Sequence, residues 1–85
     1  MSKKEKQLIE KKLKDIFYER LEVNPEIINL NSKLKDDLGI DSFGAVELIF
    51  EIKDKFGIEI KDSDSKSLVK FGDIVDYLFA NLKKR

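Results

Sequence analysis

Two short oxygen-bearing side chains, Asp41 and Ser42, follow a glycine turn at Gly39 and precede the apolar-periodic run Phe43-Gly44-Ala45-Val46-Glu47-Leu48. Either can serve as N-cap of a helix that starts there, because its oxygen accepts a free backbone N–H of the first turn. The chain contains no histidine that would activate Ser42, and no nucleophile-elbow glycine pattern surrounds it. A catalytic serine is therefore excluded. A serine at a helix N-terminus can instead accept a phosphate-bearing group, whose oxygens would face free N–H groups and the positive end of the helix dipole. Asp41 beside it can help hold a magnesium ion brought by a transferring enzyme.

The composition points the same way. With 85 residues the chain reads as one domain, residues 1–85, and a chain this short buries a thin core. Its 41% hydrophobic content still marks it as globular. Cysteine and histidine are both absent, which removes disulfides, thiol nucleophiles, the usual general base and the commonest transition-metal ligands. An autonomous enzyme is not expected, nor a resident metal. The sequence starts Met-Ser-Lys-Lys-Glu-Lys and contains no apolar run of signal or membrane-span length, so a cytoplasmic chain without stable membrane insertion is expected. The net charge is zero but unevenly laid out. Residues 1–35 carry nine basic and six acidic side chains, residues 36–64 three and nine, and residues 65–85 five and two. The acidic block surrounds Asp41-Ser42 and should attract basic partners.

The elements that must position this stretch are helical. From about Lys3 to Leu21, Leu8, Ile9, Leu13, Ile16, Phe17 and Leu21 fall at helical spacing. The lysines on the other faces read as a solvated surface rather than a nucleic-acid site, with Lys6–Glu10 and Glu10–Lys14 as i,i+4 pairs. Asn24-Pro25 should end this helix. Residues 22–40 show no sustained period, and their apolar residues Ile27, Ile28, Leu30, Leu34, Leu38 and Ile40 suggest a long loop pinned across the helices. A second helix is predicted from Ser42 to about Phe56, closed by Gly57. At 100° per residue, Ala45, Ile49, Ile52 and Phe56 form its core stripe. Phe43, Val46 and Phe50 widen the apolar arc beyond one buried face, with Glu47, Glu51 and Asp54 along its edge. This strip reads either as a docking surface or as packing beneath the long loop. The run Asp62-Ser63-Asp64-Ser65-Lys66 is not a calcium loop, since Lys66 stands at a ligand position and the central glycine is missing. It predicts a capped short helical turn over about residues 62–68. A last helix starts near Phe71-Gly72-Asp73, buries Ile74, Val75, Leu78, Phe79 and Leu82, and runs out in Lys83-Lys84-Arg85. The sum is an all-α fold, a small four-helix bundle of three main helices and one short helix with a long first loop.

The string Leu34, Leu38-Gly39-Ile40-Asp41-Ser42-Phe43 and Val46-Glu47-Leu48 resembles the modification motif of acyl carrier proteins. The likeness continues through Phe56-Gly57-Ile58-Glu59-Ile60 and Phe71-Gly72-Asp73-Ile74-Val75-Asp76-Tyr77-Leu78, nearly the whole chain. It implies that Ser42 receives 4′-phosphopantetheine from coenzyme A, with Asp41 at the same site, and that the arm's thiol carries acyl groups as thioesters. It also implies that the second helix recognises a phosphopantetheinyl transferase and the acyl-loading, synthase and acyltransferase enzymes through basic surfaces on those partners. Phe43, Val46, Glu47, Phe50, Glu51 and Asp54 would form that docking strip on a monomer. Members bearing fatty chains often shelter them between the helices.

Four features depart from the family's usual pattern. Phe43 replaces a leucine, Gly44 a polar or acidic residue, and Lys53 and Lys55 add positive charge. Lys70 stands where a threonine or serine often caps the last helix, a loss of ~1 kcal/mol. These point to a specialised partner set in fatty-acid, polyketide or related biosynthesis. Two other readings stand beside it: a D-alanyl or aminoacyl carrier with the same arm, and a cofactor-free helical adaptor in which Ser42 is only a cap.

Overall fold

The computed structural model describes residues 2–83. Four helices form in chain order: α1 (Ser2–Leu21), α2 (Ser42–Phe56), α3 (Asp62–Ser65) and α4 (Phe71–Lys83). A single 3₁₀ turn, Pro25–Ile27, interrupts the first connection, and among the described residues no β-strand is present beyond one isolated bridge between Lys33 and Lys70. The fold is all-α, as expected. Lys84 and Arg85, where the last helix was expected to run out, lie outside the described residues.

α1 is the helix that touches both long neighbours, packing on α2 and on α4. Its buried stripe is Ile9, Leu13, Ile16 and Phe17, with Leu21 half-buried at its edge. Leu8, expected in that stripe, is 60% exposed. It sits roughly 125° around the helix from the stripe's centre, too far to reach either partner. Phe17 meets Phe71 of α4 edge to face, with centroids 5.4 Å apart and both rings fully buried. That geometry places a positive ring edge against a negative face and adds to the burial of both side chains. Neither expected i,i+4 ion pair of α1 forms; Lys6 instead reaches Asp76 of α4 at 3.1 Å.

α1 ends at Leu21, as its apolar period predicts, ahead of Asn24-Pro25. Glu22 adopts φ +56°, a left-handed helix end, and the Val23 N–H returns to the Phe17 carbonyl at 3.1 Å, which turns Val23 into the core. Asn24 then caps the 3₁₀ turn, its side chain accepting from the Glu26 N–H at 3.0 Å. Within the long connection Ile28 and Ile40 are buried and Leu34 and Leu38 pack against the core, but Ile27 and Leu30 face solvent. The expectation that all six are pinned inward therefore holds for four. Much of the pinning is done by backbone. The Phe71 and Gly72 N–H groups donate to the Ser32 and Leu30 carbonyls, and the Leu34 N–H donates to the Val69 carbonyl, all at 2.9 Å.

Those bonds also answer the missing cap at Lys70. Two of α4's free N–H groups are taken by loop carbonyls, and Asp73 reaches back to accept from the Val69 and Lys70 N–H groups at 3.1 and 3.0 Å. The expected capping deficit is offset by this half of a capping box and by the loop. Gly72 makes the close approach possible, since a Cβ there would lie 2.7 Å from the Leu30 carbonyl oxygen. Alanine is the better helix former by about 1 kcal/mol, yet a backbone oxygen cannot move aside as a flexible side chain can. Gly72→Ala is expected to destabilise the fold by about 1–3 kcal/mol in urea unfolding, although propensity alone predicts the opposite sign.

Candidate functional site

Ser42 opens α2 at the point where the long connection ends. Ile40 anchors the approach: its side chain is buried and its N–H donates to the Leu34 carbonyl at 2.9 Å. Asp41 has extended backbone and caps α2, its Oδ1 accepting from the Gly44 N–H at 2.8 Å. Of the two capping candidates, Asp41 does the work. Ser42 is exposed, and among the described residues its hydroxyl enters no hydrogen bond, nor does a protein group accept the Ser42 or Phe43 N–H. Gly57 closes the far end of the helix in the left-handed region, as the sequence predicts.

The faces of α2 are sorted sharply. Gly44, Leu48 and Ile52 are buried, four residues apart in turn, and they centre the inner face roughly 70° from the predicted stripe. Gly44 explains the rotation. A Cβ there would meet Ile40 and Leu21 side-chain atoms at 3.2 and 3.4 Å, so the bare backbone lets α2 turn this edge toward α1. Ala45, Ile49 and Phe56 consequently sit half-buried at the margin of the core, and Leu48, not foreseen as core, fills its middle. Phe43, Val46 and Phe50 lie opposite and are 77%, 60% and 73% exposed. They do not pack beneath the loop. Glu47 and Asp54 flank them, exposed and without an ion pair among the described residues. Glu51 differs: it is half-buried and takes the Arg20 guanidinium at 3.2 Å, tying α2 to α1.

Two concavities meet at Ser42. An open groove of about 600 Å³ runs beside Lys33, Lys35 and Asp36 toward Ile40, Leu68 and Val69. A smaller cavity of about 230 Å³ lies between α2 and α3 and is lined mainly by hydrocarbon, including Val46, Ile49, Ile52, Ile60 and Leu68, with Ile74 of α4 among its walls. Leu34, Ala45 and Leu48 border both. Periodicity gives no hint of this space, because residues of four separate segments create it. Among the described residues no three histidine, cysteine, aspartate or glutamate side chains gather as a metal site.

Comparison with known proteins interprets this arrangement. The family model described as phosphopantetheine attachment site matches residues 11–78. An acyl carrier protein of Campylobacter hominis is 42% identical over 72 residues, covering 85% of this chain and 90% of that protein. One from Campylobacter jejuni is 43% identical over 72 residues, covering 85% and 92%. The chain belongs to the acyl carrier protein family. It is a carrier rather than a catalyst, and its prosthetic group is 4′-phosphopantetheine.

The cap geometry separates the two neighbouring side chains of this carrier by experiment. Asp41→Ala should cost about 1 kcal/mol of unfolding free energy, the usual worth of an N-cap. Ser42→Ala should change stability by less than about 0.5 kcal/mol, because the hydroxyl holds nothing in the fold. Denaturant titration of both variants measures the contrast.

Proposed function

We propose that Ser42 Oγ is the attachment point of the 4′-phosphopantetheine arm, and that the protein carries hydrocarbon acyl groups between enzymes as thioesters. The observation that carries this reading is the exposed, unbonded hydroxyl of Ser42 beside a cap that Asp41 supplies alone. In the transfer, the Ser42 Oγ–phosphorus bond forms as the pyrophosphate of coenzyme A breaks. Adenosine bisphosphate leaves, and the hydroxyl proton passes to the transferase. The residues present suit the product. The phosphodiester would lie at the helix N-terminus, where the Ser42 and Phe43 N–H groups and the dipole favour an anion, with Lys33 and Lys35 across the groove. Asp41, exposed and next to the hydroxyl, is available to the transferase's magnesium.

When bound, the group supplies a thiol that holds the acyl chain. The chain's own residues supply the rest: Ser42 fixes the tether, the apolar cavity between α2 and α3 excludes water from the cargo, and the outer face of α2 meets the partners. The mainly hydrocarbon lining suits a hydrocarbon acyl group. Phe43, Val46 and Phe50 with Glu47 and Asp54 form the proposed docking strip for the transferase and for loading, synthase and acyltransferase enzymes with basic surfaces. Glu51 belongs to it only through its grip on Arg20. Acidic steering with a small apolar contact suits brief encounters. We place this monomeric shuttle in the cytoplasm, with fatty-acid, polyketide or related biosynthesis; among the described residues no helix is long and apolar enough to cross a membrane.

Incubation with coenzyme A, magnesium and a broad-specificity transferase should add one phosphopantetheine mass to the wild type and none to Ser42→Ala. A wild type left unmodified by several transferases, or a modified Ser42→Ala, would overturn the assignment. Under the adaptor reading the bare protein would retain full partner function. In the same assay Phe50→Ala should keep the fold and lower kcat/KM about tenfold. Glu47→Lys should lower it at low salt, with the difference shrinking as salt rises.

A further inference from the structure

One wall of the α2–α3 cavity, α3, has no buried residue of its own and is anchored through its flanks, Ile60 before it and Leu68 after it. α3 is four residues long, too short to be stable alone. No side chain caps its N-terminus, and it makes no close helix-to-helix packing with α1, α2 or α4. Its internal bonds are local, from Ser65 Oγ to the Asp62 carbonyl at 2.7 Å and from Ser67 Oγ to the Asp64 carbonyl at 2.8 Å. Among the described residues one side-chain pair ties it to another helix, the Tyr77 hydroxyl donating to Asp64 Oδ2 at 2.8 Å. Asp62 and Ser65 of α3 and the following Leu68 line the cavity, opposite Ala45 and Ile49 of α2. Ile74 of α4 lines it too, and Tyr77 stands one turn further along that same helix. The tether thus fixes the α3 wall relative to a helix already bonded to the core.

We propose that the Tyr77–Asp64 hydrogen bond limits how far α3 can swing from α2, and so sets the length of acyl chain that this carrier shelters. The inference rests on the reading of the cavity as the cargo's shelter. An apolar cavity of ~150 Å³ accommodates benzene, so the present volume of about 230 Å³ matches an acyl chain of roughly eight carbons. A longer chain must push α3 outward and stretch the one side-chain tie that, among the described residues, holds it to another helix. Burial, then the hydrogen bond and charge of Asp64, raise the phenol's pKa above its usual value near 10. Tyr77 therefore remains a protonated donor throughout the neutral range. Tyr77 and Asp64 are positioning residues: the bond acts on cargo through α3.

The test loads full-length protein with hexanoyl, octanoyl, decanoyl and dodecanoyl arms from the corresponding acyl-coenzyme A thioesters, then records Tm and resistance of the thioester to hydroxylamine. Wild type should be best stabilised and best protected near the octanoyl form. Tyr77→Phe, which keeps the ring, and Asp64→Ala should move that optimum to ten carbons or more. The double variant should move it no further than either single one, since one bond is lost in all three. An optimum unchanged in both single variants would overturn the tether and leave the shelter standing. A wild type indifferent to acyl length in both readouts would overturn the shelter and the tether together.

Discussion

The backbone hydrogen bonds between residues 30–34 and residues 69–72 are the constraint on which the rest of this structure depends. The Leu34 N–H meets the Val69 carbonyl, and the first N–H groups of α4 meet the Ser32 and Leu30 carbonyls. Each bond settles two problems. A long aperiodic connection gains partners for its polar backbone, and a helix preceded by lysine gains acceptors for its orphan donors. From Leu34 the order passes onward, because its carbonyl receives the Ile40 N–H and Ile40 is buried. Asp41 and Ser42 follow directly. The place of Ser42 is thus fixed from the opposite end of the sequence, through main-chain groups whose approach requires the bare backbone of Gly72.

On that frame α2 divides its circumference among separate tasks. Gly44, Leu48 and Ile52 seat it against the core, and Glu51 holds Arg20 of α1. Ala45 and Ile49 border the cavity that α3 closes. Phe43, Val46 and Phe50 stay in solvent at a cost in exposed apolar area that the fold does not require. A small bundle has little core to spare, so an uncovered strip of two phenylalanines and a valine is more readily explained by encounters than by packing.

Much of this was legible from residues alone, for identifiable reasons. Helices announce themselves by period, and the limits of α2 and its Gly57 closure followed from local signals. The short turn, expected capped over about residues 62–68, forms only over 62–65 and without a side-chain cap. What failed was decided across the chain. Leu8 fits the period of α1 but finds no neighbour at its angle. Ile27 and Leu30 are apolar residues of the long connection that face solvent. Leu48 became core because Gly44 let the helix rotate, a consequence of an absent side chain. The cavity and the Tyr77–Asp64 pair unite segments with no shared periodicity. Family likeness drew attention to Ser42 without these details, and the structure shows that Asp41 caps α2 and leaves the Ser42 hydroxyl exposed.

Native-state hydrogen exchange resolved by residue tests the central constraint most directly. If the loop-to-α4 bonds fix the site, the Leu34, Phe71 and Gly72 amides should open with free energies within about 1 kcal/mol of core amides such as those of Leu13 and Phe17. Exchange of those three at the rate of an unprotected loop, while the α1 core remains protected, would contradict the account.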